Sequence, residues 1–138
     1  MQGSRIPSSH FLVNGMLRQV DWEKARVLVE FGPGVGTMTQ EILNRMHPNA
    51  ILITIELNPE FVHFLEAEIK DSRLRVVHGS AAEVLRILRD LNFVRADYII
   101  SSLPYTAMGD AIRGEIMQES RRVLSTDGSL LFFQYTSA

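Results

Sequence analysis

The run Glu30-Phe31-Gly32-Pro33-Gly34-Val35-Gly36-Thr37 sets three glycines at alternate positions directly after an acidic and an aromatic residue. Glycine carries no Cβ to hold a backbone away from a ligand, and it accepts turns that other residues resist. If a helix begins at Thr37, its first N–H groups lack intrahelical acceptors and face whatever lies above the loop. Glu56 follows Gly36 by twenty residues, a separation at which a carboxylate accepts hydrogen bonds from both hydroxyls of a bound ribose. The alternative is a tight strand-to-helix turn plus an acid that caps a strand or pairs with an arginine. Loop, flanking elements and acid together favour a nucleoside site.

Two features bear on which nucleoside. Dinucleotide-binding loops read Gly-x-Gly-x-x-Gly, and here the third glycine position is Thr37. Glu30 would repel a pyrophosphate but attract a sulfonium or an ammonium. S-adenosylmethionine carries both cations and no phosphate, so electrostatics favour it. Ser101-Ser102-Leu103-Pro104-Tyr105 is a second candidate group, and His10 is a lone histidine that titrates near neutral pH. His47, His63 and His78 are scattered without metal-ligand spacing, so no metal is expected.

These groups need a scaffold that gathers distant chain positions at one edge. Arg26–Phe31 reads as a first strand, and Met38, Ile42, Leu43 and Met46 recur at helical spacing until His47-Pro48-Asn49 stops them. Ala50–Ile55 is a nearly unbroken apolar run, as in a central parallel strand. Asn58 and Pro59 suit the N-cap and first position of the next helix, with Phe61, Leu65 and Ile69 as its stripe. Leu74–His78 is a third strand, and Gly79-Ser80 turns into a helix carrying Val84, Leu85, Leu88 and Leu91. Tyr98–Ile100 is a fourth strand. Ile112, Ile116, Ser120 and Leu124 mark a crossover helix weakened by Gly114, Asp127-Gly128 a turn, and Leu130–Tyr135 a fifth strand. The expected fold is α/β: a Rossmann-like, doubly wound parallel sheet of order 3-2-1-4-5. Its switch point lies between strands 1 and 4, at whose carboxyl ends ligands bind.

The 138 residues suit one domain, 1–138, with 1–22 as a helical cover, and 46% hydrophobic with 22% charged residues is ordinary for a globular chain. A net charge of −2 gives no global pull towards nucleic acid or anionic lipid, and the lack of cysteine removes disulfides and thiolate chemistry. No apolar run nears the roughly 20 residues of a membrane span, and the start lacks the plan of a signal peptide. A cytoplasmic address is therefore expected. Phe11, Leu12, Met16 and Leu17 form an apolar stripe that either touches lipid chains or packs on the sheet.

Val27-Leu-Val-Glu-Phe-Gly-Pro-Gly-Val-Gly36 resembles the first motif of class I S-adenosylmethionine-dependent methyltransferases, Ile55-Glu-Leu-Asn-Pro59 their second and Val77-His-Gly-Ser-Ala81 their third. The likeness covers almost the whole chain. Pro7-Ser-Ser-His-Phe-Leu12, Glu56-Leu-Asn-Pro-Glu-Phe61, Ser102-Leu-Pro-Tyr105 and the closing stretch from Arg122 to Thr136 resemble bacterial phospholipid N-methyltransferases, which methylate the amine of phosphatidylethanolamine. Ser9-His-Phe-Leu12 and the Leu-Pro-Tyr step also resemble rRNA adenine dimethyltransferases. Those enzymes use Asn-Leu-Pro-Tyr, whose asparagine carbonyl holds the target amino group, and Ser102 stands in that place. With the near-neutral charge, this departure makes nucleic acid the less expected partner.

The resemblance implies S-adenosylmethionine as cofactor, contacted by His10, Leu12, Glu30, Phe31, Gly32, Pro33, Gly34, Gly36, Thr37, Glu56, Leu57, Gly79, Ser80, Ala81 and Ser101. Ser80 stands where many relatives carry an aspartate for the adenine amino group, so recognition there leans on the backbone of Ser80 and Ala81. Catalysis is expected from Ser102, Leu103 and Tyr105: a carbonyl of Ser102 or Leu103, with Tyr105, orients the amine, and Pro104 fixes the turn. The same residues otherwise read as a strand-ending turn with a packed aromatic. His10 either meets the methionine carboxylate or a proton, or is a solvated surface residue. The class usually adds two further strands after the fifth; either the sequence stops short of them or this member is minimal. Strand five is then an uncovered apolar edge, which predicts a homo-oligomer. The expected acceptor is a phospholipid headgroup or small amine, with peripheral contact to the inner membrane face. A cofactor-binding module without turnover is the rival of a different class.

Overall fold

Val27–Phe31 (β1) and Ile51–Glu56 (β2) are buried along almost their whole length, and such runs pair as central parallel strands. The computed structural model describes residues 11–133. Leu74–His78 (β3), Ala96–Ser101 (β4) and Leu124–Phe132 (β5) complete a sheet of order β3-β2-β1-β4-β5, parallel at every pairing. This is the order expected from the sequence. Strand order reverses at β1, so β1 and β4 diverge into a crevice at their carboxyl ends.

Helices cover both faces: residues 11–17 (α1), Thr37–Arg45 (α2), Pro59–Glu68 (α3), Val84–Asp90 (α4) and Asp110–Val123 (α5). Side chains alternate along a strand. Leu28, Leu52 and Ile100 accordingly pack with Met16 and Leu17 of α1 and Ile42 of α2. Val29, Ile53 and Ile99 pack on the other face with Val84 and Leu88 of α4 and Ile116 of α5. The stripe on α1 divides. Met16 and Leu17 are buried, whereas Phe11 is 73% exposed and Leu12 49%.

Three expectations need correction. The α5 stripe is Ile116, Ser120 and Val123; Ile112 is exposed, and Leu124 already begins β5. No glycine or proline marks that end, so periodicity alone ran on past it. Asp127-Gly128 is not a turn before the fifth strand but a bulge within it. Ala96 pairs with Leu124 and Tyr98 with Ser129, so β5 spends five residues where β4 spends two. A Cβ on Gly128 would lie 2.9 Å from the Asp97 carbonyl oxygen, which is why the bulge takes glycine. On α3 the buried residues are Val62 and Leu65, while Phe61 and Ile69 are half-buried. Among the described residues no helix is long and apolar enough to cross a membrane.

Candidate functional site

The loop leaving β1 turns through three left-handed glycines, with φ of +69° at Gly32, +56° at Gly34 and +91° at Gly36. Its shape is fixed by Gly32 N–H donating to the Ile55 carbonyl (3.1 Å) and Gly36 N–H to the Pro33 carbonyl (2.9 Å). A Cβ at Gly32 would sit 2.8 Å from the Leu103 side chain, and one at Gly36 2.7 Å from Leu65. Those two glycines let neighbours close in. Gly34 differs, because a Cβ there would meet nothing within 4 Å. Thr37 opens α2 directly behind the loop.

Glu56 is 8% exposed at the end of β2. One carboxylate oxygen accepts from Gly34 N–H (3.0 Å) and the other from Asn58 N–H (2.9 Å). The group is thus pinned between the glycine loop and the start of α3, and each oxygen keeps lone-pair capacity for a further donor. Asn58 caps α3 by accepting from Glu60 N–H, as expected. Gly79 N–H donates to the Glu56 carbonyl (3.0 Å), which holds the end of β3 alongside. There Ser80 Oγ accepts from Ala82 N–H (3.1 Å) and caps the 3-10 turn Ala81–Glu83. Leu57 is exposed, and its carbonyl lies 3.0 Å from the His78 ring.

Glu30 lies beneath the loop, fully buried. Its Oε1 accepts from the hydroxyls of Thr39 (2.6 Å) and Thr54 (2.9 Å), while Oε2 has no hydrogen-bond partner among the described residues. Burial pushes the carboxyl from its ordinary 4.5 up to about 7; the threonine hydroxyls pull it down and the Glu56 charge adds to the rise. An orphaned buried carboxylate oxygen suits a cationic neighbour.

Across the crevice β4 ends in Ser101. Ser102 N–H donates to the Phe31 carbonyl (3.1 Å), which brings this turn against the glycine loop. Ser101 Oγ accepts from Leu103 N–H (3.3 Å) and donates to the Tyr105 hydroxyl (3.2 Å). The Leu103 carbonyl accepts from Tyr105 N–H (2.9 Å). The Ser102 carbonyl has no donor among the described residues. Tyr105 is buried, meets Phe132 edge-on at 4.7 Å, and has its phenol pKa raised by burial. Arg113 of α5 donates to the carbonyls of Tyr105 (2.7 Å) and Met108 (3.2 Å) and pairs with Asp110, so it clamps the loop from outside.

The crevice therefore assembles Glu30, the glycine loop, Glu56, Gly79–Ala81 and Ser101–Tyr105 from four strand ends. Leu12 stands on α1, in a shallow groove shared with Phe132 and Phe133. His10 lies outside the described residues. Sequence reasoning missed Thr39, Thr54, Arg113 and Phe132. Thr54 alone left a signal, as a single hydroxyl inside an apolar strand.

Residues 2–138 match the ribosomal RNA adenine dimethylase family. The chain belongs to that family of S-adenosylmethionine-dependent methyltransferases. This dimethylase-family chain is 31% identical over 127 residues to an ornithine lipid N-methyltransferase of Singulisphaera acidiphila, covering 91% of this chain and 66% of that one. It is 30% identical over 107 residues to the ribosomal RNA small subunit methyltransferase A of Mycoplasma mycoides, covering 75% and 38%. A chain from the solved complex of the Haloferax volcanii Trm112 methyltransferase activator with its methyltransferase partner superposes with a TM-score of 0.67 at 18% identity. That match covers 86% of this chain and 49% of the other, and at such identity it shows the shared fold. The chain thus spans between about a third and two thirds of these relatives.

The family's cofactor is S-adenosylmethionine, and the residues present fit it. The open space at Gly34, the pinned carboxylate of Glu56 and the orphaned oxygen of Glu30 match a bare-backbone cradle, a ribose diol and a cation respectively.

Proposed function

We propose that this dimethylase-family chain is an N-methyltransferase for the primary amine of a lipid headgroup, with phosphatidylethanolamine as the best single candidate. The observation carrying this reading is the Ser102 carbonyl at the switch point, which has no donor among the described residues and lies next to the glycine loop through the Ser102–Phe31 hydrogen bond. A carbonyl accepts an N–H from an amine and aims its lone pair, which is what an in-line displacement needs. The bound cofactor supplies a methyl carbon already activated by its sulfonium.

In this reading Glu56 holds the ribose hydroxyls, Glu30 offsets the cationic charge from below, and the glycine loop admits the ligand without a Cβ in the way. The backbone of Ser80 and Ala81 meets the adenine edge. Phe31, Gly32, Pro33, Gly36, Thr37, Leu57, Gly79 and Ser101 line or shape the pocket. Tyr105 holds the acceptor turn through Ser101, and Leu103 covers Gly32. The amine attacks unprotonated, having lost its proton to solvent before it reaches the Ser102 carbonyl.

Two further points support a lipid acceptor. The likeness to the ornithine lipid enzyme covers more of the chain than the likeness to the ribosomal RNA enzyme. Phe11 and Leu12 also expose apolar surface suited to peripheral contact with a membrane. Ribosomal RNA adenine is the second reading, favoured by the family match over residues 2–138. Incubation with methyl-labelled cofactor, offering phosphatidylethanolamine vesicles and ribosomal RNA in parallel, separates the two. Label in the lipid is expected. Label in RNA alone overturns the lipid reading, and cofactor binding without transfer to either marks a non-catalytic module.

A further inference from the structure

Beside the acceptor turn, a cleft of about 480 Å³ runs between α5 and the end of β5, lined by Tyr105, Asp110, Arg113, Gly114, Met117 and Phe132. Gly114 is its unexplained residue. It sits inside α5, where glycine is unfavourable relative to alanine. Its φ is not left-handed, and a Cβ added there would meet nothing within 4 Å. Neither backbone strain nor packing accounts for it, and its effect is to leave one wall of the cleft as bare backbone.

Along α5 that wall passes from the Asp110–Arg113 ion pair, through Gly114, to the thioether of Met117, with the rings of Tyr105 and Phe132 opposite. Polarity thus changes along the cleft as it does along an amphiphile. The cleft is also continuous with the acceptor turn, because Tyr105 belongs to both and Arg113 ties its carbonyl to α5. A stacked nucleobase fits less well: Tyr105 and Phe132 are engaged edge to face, and Arg113 is committed to two loop carbonyls and Asp110.

We propose that this cleft receives an acyl chain of the lipid whose amine is presented to Ser102, with Gly114 as the residue that keeps it open. The proposal rests on the lipid reading above and extends it to how a lipid would be told from a free headgroup.

The test uses the full chain with 13C-methyl methionine, the Met117 signal being assigned with Met117→Leu. Monomeric dihexanoyl-phosphatidylethanolamine is expected to shift the Met117 methyl saturably, while glycerophosphoethanolamine, which has no chains, does not. Gly114→Leu is expected to weaken the lipid response at least tenfold and leave S-adenosylhomocysteine binding unchanged. Gly114→Ala, expected to melt higher than the parent, guards against a folding artefact and weakens the response less. A silent Met117, an equal response to glycerophosphoethanolamine or to an adenine-containing oligoribonucleotide, or an unaffected Gly114→Leu overturns the proposal. The two readings fail separately. A chain-dependent Met117 shift without methyl transfer keeps the cleft and rejects the acceptor, whereas methyl transfer to lipid with a silent Met117 does the reverse.

Discussion

At the scale of single residues, Glu30 is held in an environment that opposes its charge. Burial lifts its pKa to about 7 from 4.5. A carboxyl whose pKa is raised on folding binds its proton more tightly in the native state. Its penalty is therefore absent below pH 4.5, grows as pH rises towards 7 and is complete above that. Each pH unit in that window corresponds to about 1.4 kcal/mol, so the cofactor-free protein loses on the order of 3 kcal/mol from this group. Glu30→Gln keeps an oxygen for Thr39 and Thr54 and abolishes the titration. Denaturant unfolding at pH 5 and pH 8 is expected to show the variant gaining on the parent at the higher pH. An unchanged difference between the two pH values contradicts the burial argument. The acid and its place before the glycines were legible in the sequence. Its threonine partners were not, because Thr54 meets it through the β1–β2 register and Thr39 through the packing of α2 on the sheet.

At the scale of elements, the acceptor turn is set by what surrounds it more than by its own Leu-Pro-Tyr step. The proline was readable as a turn residue, but Arg113 lies eight residues further on and reaches back to two carbonyls of the turn. No pattern in the sequence couples a helix arginine to a preceding loop. Charge-assisted hydrogen bonds of this kind each contribute about 1.5–3 kcal/mol. Arg113→Ala is expected to lower kcat roughly tenfold or more while cofactor affinity stays put, and Arg113→Lys to recover part of the loss. A fall in cofactor affinity equal to the fall in kcat would mean that the arginine supports the whole domain instead. The fifth strand teaches a similar lesson. Its apolar end was evident, but the bulge around Gly128 is set by the Asp97 carbonyl across the ladder, a contact invisible along the chain.

At the scale of the whole molecule, strand order and the position of the crevice follow from the alternation of apolar runs and amphipathic stretches, and the handedness of crossovers does the rest. That logic gave β3 and β5 as the sheet edges, and among the described residues both are. β5 pairs with β4 on one side only among the described residues, and unpaired strand edges pair readily. A concentration-dependent dimer is therefore expected by light scattering. A monomer at every concentration tested contradicts it. The crevice itself needs β1, β2, β3 and β4 in register at their carboxyl ends, since Glu56 is pinned by a loop from β1 and held beside the end of β3.

Calorimetric titration with S-adenosylhomocysteine tests the central claim most directly, because every proposed role depends on that crevice taking an adenosine thioether. One site per chain is expected, weakened roughly 10- to 100-fold in Glu56→Ala, as the loss of one or two hydrogen bonds to a charged group implies. No binding by the folded parent, or binding that ignores the Glu56 substitution, would contradict the account.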